Sequence, residues 1–551
     1  MRTLDELILA DLIEARAAAR PDLDVVTFEP GEHGVEEVRT YAQLWTNAHK
    51  LAHALIARGM NYGDRFAILV RNHPEFIELM IASSITGLVF VPIDPRTRGP
   101  RLAFTLSDSG CRGIVCADYT LAQVEEVRAR APSLEWIWVL DSGEVPGATS
   151  ARDVAGTQAL AEILDGPEAR VDPRLRHPAD TLQIIYTSGT TGDPKGVVFS
   201  NARFGNATRA TDMFGIGADE RPYTGLSLTH GNAQLMTLAS ALRLGQRVVF
   251  SRKFTKSRLW DITRRYGCTF FNLLGGMATA IYSEPERPDD ADNPVRFVLS
   301  AGMPASIWER FERRFGVRVL EAYGAIEGGS AVKPIGVGPV GSFGKAPPAL
   351  QIRIVDEQDN DCAPGVLGEL ISRPVTGEPV VVNYFNNAAA SQRKTEGGWL
   401  RSGDICHRDA DGWLFFDYRK GGGLRRNGDF INPTFVEGAL AEHPGVTDVF
   451  VYGIAAANGA PGEKDVVAAI VVDRAAFDPA AVFAWCREKL EPNSVPSFLQ
   501  VVDEIPKTAS EKPQERFLIE ALGRADAQVW EAAGSGAVRV ASVARRTAAG
   551  A

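Results

Sequence analysis

Helix-like and strand-like segments alternate along most of this 551-residue chain. Apolar residues recur at helical spacing in Leu51–Gly59 and Glu75–Ile85, and a short apolar run precedes or follows each helical segment. This alternation predicts an α/β fold with largely parallel sheets. The strand-like runs behind the prediction are Arg65–Val70, Leu88–Val91, Gln183–Tyr186, Arg247–Phe250 and Arg296–Leu299.

The composition is that of a globular protein, with 45% hydrophobic and 23% charged residues. The net charge of −10 argues against a general nucleic-acid binder, which needs a concentrated basic surface. The longest apolar run, Met80–Ile93, is too short and too interrupted to span a bilayer. Acidic residues interrupt the leucines near the N-terminus, unlike a signal peptide, and none of the six cysteines forms a CxxC pair. We therefore expect reduced thiols and a cytoplasmic location.

The length predicts several domains. Three consecutive glycines, Gly421–Gly423, follow the strand-like run Trp413–Phe416 and are typical of a hinge. We expect a large N-terminal domain over 1–418 and a small mobile α+β domain over 419–525. Residues 526–551 end in an Ala/Gly-rich basic stretch, for which we expect a flexible tail.

The most informative stretch is Tyr186–Val197, which follows an apolar run. Its glycines allow backbone N–H groups to approach an anion, its hydroxyls add donors, and its lysine adds a cation. It is not a Walker A loop, because Gly196 follows the lysine where that motif has Ser or Thr. We predict polyphosphate binding by Thr187, Ser188, Gly189, Thr190, Thr191, Gly192 and Lys195.

This stretch resembles the signature loop of the adenylate-forming superfamily, which includes acyl-CoA synthetases, adenylation domains of peptide synthetases and beetle luciferases. Four further motifs follow in the family's order, at Ser300–Pro304, Tyr323–Glu327, Trp399–Asp404 and Pro506–Lys512. The C-terminal stretch is most similar to the crotonobetaine/carnitine–CoA ligase branch. The resemblance implies a large N-terminal domain of packed mixed and parallel sheets with helices, and a small mobile C-terminal domain. It assigns further ATP contacts to Ala301, Gly302, Tyr323, Gly324, Asp404 and Arg419.

The resemblance also implies catalytic and substrate-binding residues. Lys512 would be the adenylation lysine, Glu327 and Thr190 would hold Mg²⁺, and His230 would lie at the mouth of the acyl pocket. Gly421 would be the hinge residue. The remaining implied residues are Leu274, Gly275, Met277 and Ala325 in the acyl pocket, and Arg425, Arg426 and Gly428 for CoA. The two arginines are equally compatible with a solvated strand face.

We therefore expect an ATP-dependent carboxylate–CoA ligase that forms an acyl-adenylate and pyrophosphate, then an acyl-CoA thioester and AMP. The expected partners are a small carboxylic acid, ATP and CoA, with no nucleic acid and no membrane span, and a homodimer is an allowed assembly. A carrier-protein thiol as acceptor and a catalytically impaired nucleotide-binding homologue are the alternatives. Three departures from the family pattern favour the second alternative: Ile326 replaces a threonine, Gly421 replaces a charged hinge residue, and Glu511 replaces a glycine.

Overall fold

The computed structural model describes residues 3–31, 34–145, 147–168, 170–175, 177–187, 194–420, 424–426, 429–456, 464–508, 511, 513–533 and 536–540. The chain divides into two compact units. Unit 1 comprises Met1–Asn272, Pro294–Arg296 and Val381–Arg393. Unit 2 comprises Leu273–Asn293, Phe297–Val380 and Lys394–Ala551.

Unit 1 contains two groups of mainly parallel strands. The strand order is β7-β6-β5-β3-β4-β8-β9 in one and β12-β10-β11-β1-β2 in the other, and only β9 and β2 run antiparallel to their neighbours. The strands are β1 (Asp24–Phe28), β2 (Glu37–Thr40), β3 (Arg65–Leu69), β4 (Val89–Pro92), β5 (Gly113–Ala117), β6 (Trp136–Leu140), β7 (Thr157–Ala159), β8 (Thr181–Thr187), β9 (Lys195–Ser200), β10 (Pro222–Thr224), β11 (Val248–Phe250) and β12 (Phe270–Leu274), within which the unit ends.

The helices of unit 1 begin with ordinary capping signals. Thr40 and Gln43 form a capping box at α2, and Pro74 occupies the first turn of α3, where its missing N–H costs nothing. A π-helix covers Asn232–Leu238. The α-helices are α1 (Leu9–Ala19), α2 (Tyr41–Ala57), α3 (Pro74–Thr86), α4 (Gly99–Ser109), α5 (Asp118–Val127), α6 (Leu160–Leu164), α7 (Asn201–Ala207), α8 (Ala239–Leu244) and α9 (Leu259–Tyr266).

Unit 2 is richer in antiparallel pairing. Its strands form the groups β13-β14-β15, β16-β17-β18-β19, β20-β21 and β22-β23-β24-β25-β26. The strands are β13 (Phe297–Ala301), β14 (Arg318–Ala325), β15 (Gly328–Lys333), β16 (Leu350–Val355), β17 (Gly368–Pro374), β18 (Leu400–Arg408), β19 (Leu414–Arg419), β20 (Leu424–Arg426), β21 (Asp429–Ile431), β22 (Val446–Ala455), β23 (Lys464–Val472), β24 (Phe498–Val501), β25 (Gln528–Ala533) and β26 (Gly536–Val540).

The five-stranded sheet of unit 2 is covered on both faces. Along β23, Val466, Ala468 and Ile470 join one buried cluster, and Val467 and Ala469 join another. This alternation is what a strand between two apolar layers requires. The remaining helices of the chain are α10 (Gly275–Tyr282), α11 (Trp308–Phe315), α12 (Ala388–Lys394), α13 (Pro433–Ala441), α14 (Pro479–Lys489) and α15 (Glu515–Leu522).

The predicted α/β class is confirmed, and each helix-like or strand-like segment named from the sequence overlaps a helix or strand of the same type. The flexible tail predicted from residue 526 is wrong for residues 528–533 and 536–540. There β25 pairs with β24 and β26 pairs with β25, and Val529 is fully buried. The apolar residues of this segment pack at the edge of the five-stranded sheet. The basic composition of the segment did not indicate this. Residues 541–551 lie outside the described residues. The boundary predicted at 418/419 falls inside unit 2 and stays a prediction.

No helix among the described residues has both the length and the apolar character needed to cross a membrane.

Candidate active site

The predicted phosphate-binding loop connects two antiparallel strands of unit 1. Thr187 ends β8, Lys195 begins β9, and the two residues are paired across the ladder. The Lys195 ammonium lies 5.6 Å from the centroid of the Tyr384 ring. The loop leads into strand β9 and not into a helix, so the predicted anion binding relies on the backbone N–H groups of the loop and on Lys195 rather than on a following helix dipole. The predicted residues Ser188, Gly189, Thr190, Thr191 and Gly192 lie outside the described residues.

The glycine after Lys195 has a packing reason. A Cβ at Gly196 would come within 2.6 Å of Ile184 Cγ2 and 3.0 Å of the Tyr186 ring. Phe385 N–H donates to the Gly196 carbonyl at 2.7 Å, so a second segment also packs on this backbone. The glycine that follows Lys195, where a Walker A motif has Ser or Thr, is therefore required by the close approach of these groups.

In unit 2, Asp404 is a buried carboxylate on β18, with 3% of its surface exposed. The Tyr323 hydroxyl donates to Asp404 Oδ2 at 2.5 Å. The Arg419 Nε atom lies 2.8 Å from Asp404 Oδ1, but this ion pair lacks hydrogen-bond alignment, and Oδ1 accepts no hydrogen bond. A buried oxygen with unused acceptor capacity fits a ligand hydroxyl, because buried polar atoms are otherwise nearly always paired.

The Tyr323 ring stacks on Phe343, with centroids 4.8 Å apart. Burial, together with the neighbouring Asp404 carboxylate, raises the pKa of Tyr323, so its hydroxyl keeps its proton and remains a donor. The sequence predicted Tyr323, Asp404 and Arg419 separately, and the structure brings these three side chains together. The hydrogen bond between the tyrosine and the aspartate had no signal in the sequence.

The turn after β13 depends on glycine. Gly302 has φ = +96°, a region that other residues avoid, and a Cβ at Gly275 would overlap its carbonyl oxygen. The Gly302 N–H and the Met303 N–H both donate to the carboxylate of Glu321, which is 3% exposed. Burial raises the pKa of Glu321 to about 7, although these two N–H groups oppose the shift. Ala301 precedes this turn as the last residue of β13. Sequence reasoning missed Glu321, an acid within an otherwise apolar strand.

Glu327 lies in the turn between β14 and β15, after Gly324 and Ala325 at the end of β14. Sequence reasoning also missed Lys394, whose Nζ donates to the Ser402 carbonyl at 3.1 Å. Burial lowers the pKa of Lys394, and the negative charge of Glu327 is the largest opposing influence. Lys394 therefore lies within electrostatic reach of Glu327.

The implied Mg²⁺ can be tested against these residues. Among the described residues, no three His, Cys, Asp or Glu side chains are placed to share a metal ion. Mg²⁺ in nucleotide-dependent enzymes is commonly held by one or two carboxylates together with the substrate phosphates. A single carboxylate, Glu327, fits a metal that arrives with its nucleotide. The second predicted ligand, Thr190, lies outside the described residues.

The loop predicted to carry the adenylation lysine lies on α10 within unit 2. The Lys507 Nζ is 3.4 Å from where a Cβ of Gly276 would stand, and the Glu511 carbonyl oxygen is 3.7 Å from the same point. Lys507 also forms a 2.5 Å ion pair with Asp448. Glu511 has φ = +56°, the left-handed conformation that favours glycine. This backbone conformation explains why the family pattern has a glycine at this position. Lys512 itself lies outside the described residues.

The residues predicted to form the acyl pocket lie within the described residues. In unit 1, Asn232 N–H donates to His230 Nδ1 at 3.2 Å, which fixes the ring orientation. In unit 2, Leu274 ends β12, Gly275 begins α10, and Met277 is buried in that helix.

The predicted CoA-binding residues are described only in part. Arg425 and Arg426 lie on β20, and one guanidinium nitrogen of Arg426 donates to the carbonyls of Asn493 (3.1 Å) and Val495 (2.5 Å). Those bonds give Arg426 a structural function that the sequence did not indicate. Its role in binding CoA, and that of Arg425, stay predictions. The hinge residue Gly421 and Gly428 lie outside the described residues.

Each unit therefore contributes a separate feature. In unit 1, Lys195 begins the strand after a loop whose composition suits an anion. In unit 2, the buried Asp404 carboxylate keeps acceptor capacity that suits a hydroxyl.

Comparison with known proteins identifies the family. The model of the AMP-binding enzyme family matches residues 13–378, and the model of the AMP-binding enzyme C-terminal domain matches residues 436–512. The chain belongs to the AMP-binding enzyme family.

Named relatives place it among ligases. It is 32% identical over 459 residues to the medium/long-chain-fatty-acid–CoA ligase FadD17 of Mycobacterium marinum, covering 82% of this chain and 85% of the relative. It is 27% identical to the crotonobetaine/carnitine–CoA ligase of Salmonella typhi, covering 89% of this chain and 95% of the relative. The structure of the anthranilate CoA ligase AuaEII in complex with anthranoyl-AMP is similar to this structure, with a TM-score of 0.78 and 22% sequence identity. The similarity covers 93% of this chain and 96% of the other. The resemblance drawn from the motifs is confirmed. The chain is an AMP-forming acid–thiol ligase whose substrates are ATP and CoA, and Mg²⁺ is usual for its family.

Proposed function

We propose that this ligase activates a small carboxylic acid through the residues of its motifs, and that Asp404 holds the ribose of ATP. The observation that supports this most directly is the unused acceptor capacity of the buried Asp404 Oδ1, beside Arg419. A carboxylate can accept hydrogen bonds from two neighbouring hydroxyls, which matches the vicinal diol of ribose.

In the first half-reaction a carboxylate oxygen of the acid attacks the α-phosphorus of ATP. The bond from that phosphorus to the bridging oxygen breaks, and pyrophosphate leaves with the bonding pair. The protein must align two anions and stabilise charge on phosphoryl oxygens, so positioning and electrostatics carry the catalysis. We assign Lys512 to the space between the two anions. Ser188, Thr190, Thr191 and Lys195 hold the pyrophosphate.

Glu327 holds Mg²⁺ in this proposal, and the ion supplies positive charge that neutralises the phosphates. Lys394 adds a fixed cation within electrostatic reach of the same glutamate. Ile326 cannot donate the hydrogen bond that a threonine gives at this position.

In the second half-reaction the CoA sulfur attacks the acyl carbon, the bond to the adenylate oxygen breaks, and AMP leaves. His230 lies where the acyl group enters, Arg425 contacts CoA, and Gly421 is the hinge about which residues 419–525 turn between the two steps. A cytoplasmic location agrees with the six cysteines, all of which are free and buried. That location and a homodimer remain predictions.

The roles can be tested by separating the half-reactions. In Lys512→Ala, pyrophosphate release from ATP and acid should fall by about 10²–10³-fold, because one electrostatic contact to the transition state is lost. Thioester formation from a supplied acyl-adenylate should be spared. Lys489→Ala, which removes a lysine that stacks on Trp485 in α14, is the matched control and should leave both steps unchanged. Equal loss of both half-reactions in Lys512→Ala would refute the assignment of Lys512.

A further inference from the structure

Unit 1 contains a group of amide side chains on and beside the π-helix that follows His230, three of them buried and Asn232 partly exposed. Asn232 and Gln234 lie on the π-helix, Asn272 lies on β12, and Gln183 lies on β8. Asn272 is 1% exposed, and Gln183 and Gln234 are fully buried. π-helical segments often occur at functional sites, and a run of seven such residues next to His230 is unusual.

The amides are paired, but the pairing is incomplete. Asn272 Nδ2 donates to Asn232 Oδ1 at 2.7 Å, and Gln183 Nε2 donates to Gln234 Oε1 at 2.9 Å. Asn272 Oδ1 and Gln183 Oε1 accept no hydrogen bond, although both atoms are buried. Reversing both amides of the asparagine pair would only exchange an unpaired oxygen for an unpaired N–H group, so one polar atom of Asn272 is unpaired in either orientation.

The Asn232–Asn272 pair is connected directly to His230. The backbone N–H of Asn232 donates to His230 Nδ1. The histidine is therefore linked through Asn232 to the side chain of Asn272. Phe271 points to the opposite face of β12, where its ring packs against Trp260 with centroids 5.6 Å apart. Asn272 therefore faces the π-helix, on the same side of the strand as His230 and Asn232.

We propose that Asn232 and Asn272 select a carboxylic acid that carries an uncharged hydrogen-bonding group, a hydroxyl in the simplest case, close to its carboxylate. The inference rests on the proposed function, in which His230 lies at the entrance of the acyl pocket. A substrate hydroxyl would donate to Asn272 Oδ1 and satisfy it. A plain alkyl chain would leave that oxygen unpaired, and an unpaired buried polar atom costs free energy.

The side chains also bear on charged substrates. The group is made of Gln183, Asn232, Gln234 and Asn272, and none of these carries a charge to neutralise a second carboxylate or a quaternary ammonium. Burying an uncompensated charge is more costly than burying a neutral polar group. These uncharged side chains therefore favour a neutral hydroxy acid over both a zwitterionic acid and an unsubstituted fatty acid.

The test is a panel of matched acids, scored by the kcat and KM of pyrophosphate release. Butanoate, hexanoate and octanoate are each compared with their 2-, 3- and 4-hydroxy derivatives, and carnitine represents zwitterionic acids. We expect at least one hydroxy acid to exceed its unsubstituted counterpart by about tenfold or more in kcat/KM. Equal or better use of every unsubstituted acid overturns the inference while leaving the proposed function intact. No pyrophosphate release from any acid contradicts the proposed function itself.

The residue assignment is tested with Asn272→Leu, which has nearly the same shape but no polar atoms. We expect the preference for the hydroxy acid to fall by about tenfold, through KM of that acid, while the unsubstituted acid improves. Asn272→Asp checks that the site tolerates substitution, and Asn206→Leu, an exposed residue of α7, is the control that should keep the wild-type preference. An Asn272→Leu enzyme that folds and keeps the wild-type preference overturns the assignment, because a purely structural asparagine would change stability alone.

Discussion

The turn at Gly302 and the loop from Lys507 to Pro513 both contain left-handed backbone, and they accommodate it differently. The first uses a glycine at φ = +96° and is anchored by two N–H groups on the buried Glu321. The second places Glu511 at φ = +56°, which costs about 1–2 kcal/mol relative to glycine. The first turn is therefore unstrained and fixed, whereas the second stores strain in a segment that is proposed to move between the two half-reactions.

The strain in the second loop has a physical consequence. Energy stored only in the docked loop lowers the cost of releasing it. The same strain would disfavour the docked state in which, under the proposed function, Lys512 acts in adenylation. The replacement of the usual glycine by Glu511 is thus expected to shift the balance between the two half-reactions, without removing either of them.

The largest effect is expected where the unstrained turn is broken. Gly302→Ala forces a Cβ into a backbone conformation that it avoids and displaces the N–H bonded to Glu321. We expect a loss of about 2 kcal/mol of stability, and about 10²-fold slower pyrophosphate release because the turn that holds the predicted ATP contacts Ala301 and Gly302 moves. Urea unfolding and a pyrophosphate assay measure the two effects.

Gly365→Ala is the matched control for that variant. Gly365 also has a positive φ, of +81°, but a Cβ there meets nothing within 4 Å. It should lose only about 1 kcal/mol and keep its activity. If Gly302→Ala behaves no worse than this control, the turn has no special part in nucleotide binding.

A smaller effect, with a characteristic pH dependence, is expected at the acid that anchors the same turn. Burial raises the pKa of Glu321 from its usual value of 4.5 to about 7, so the folded state binds this proton more tightly than the unfolded state does. Its contribution to stability is complete below pH 4.5 and is lost as the pH rises towards and through 7. The slope is at most about 1.4 kcal/mol per pH unit.

Glu321→Gln should remove this slope from a series of urea midpoints between pH 4.5 and 7.5, because the amide does not titrate. The control is Glu309→Gln, on the exposed face of α11. A wild-type profile that matches the Glu321→Gln profile would contradict the raised pKa.

The smallest effect is expected from relieving the strained loop. Glu511→Gly should stabilise the docked loop by about 1 kcal/mol, seen as slower hydrogen exchange at residues 507–511 and a severalfold faster adenylation step. Glu511→Ala removes the side-chain charge but keeps the Cβ, so it separates backbone strain from electrostatics. Equal gains in the two variants would show that charge, and not φ, sets the behaviour of the loop.

Local patterns predicted much of the fold and the site. Four of the parallel strands of unit 1 were predicted because they are short apolar runs bounded by polar residues: Arg65–Val70, Leu88–Val91, Gln183–Tyr186 and Arg247–Phe250. The motifs also named Tyr323, Asp404 and Arg419, whose side chains lie together in unit 2. The sequence gave no indication of the Tyr323–Asp404 hydrogen bond, because it joins residues 81 positions apart. Likewise, the π-helix differs from an α-helix only in hydrogen-bond register, which periodicity does not resolve.

Two features that the sequence did not indicate have a common cause. Arg426 was predicted to bind CoA or to lie on a solvated strand face, and its guanidinium also donates to two backbone carbonyls about 70 residues away. A flexible tail was predicted from residue 526, but Val529 and Trp530 pack into the two opposite apolar clusters of the five-stranded sheet. In both cases the partner lies far along the chain, where composition and local spacing carry no information.

The hairpin of β25 and β26 determines where the chain can be shortened. Strand β24 has β23 on one side and β25 on the other, so a chain cut at residue 525 would leave Phe498–Val501 as a bare, apolar sheet edge. Such edges pair readily with other chains. The present outermost strand, β26, carries Arg539 and is partly exposed, which suits an edge in contact with water. A shortened protein is therefore expected to self-associate through β24, so the segment that was predicted to be a tail protects an apolar sheet edge.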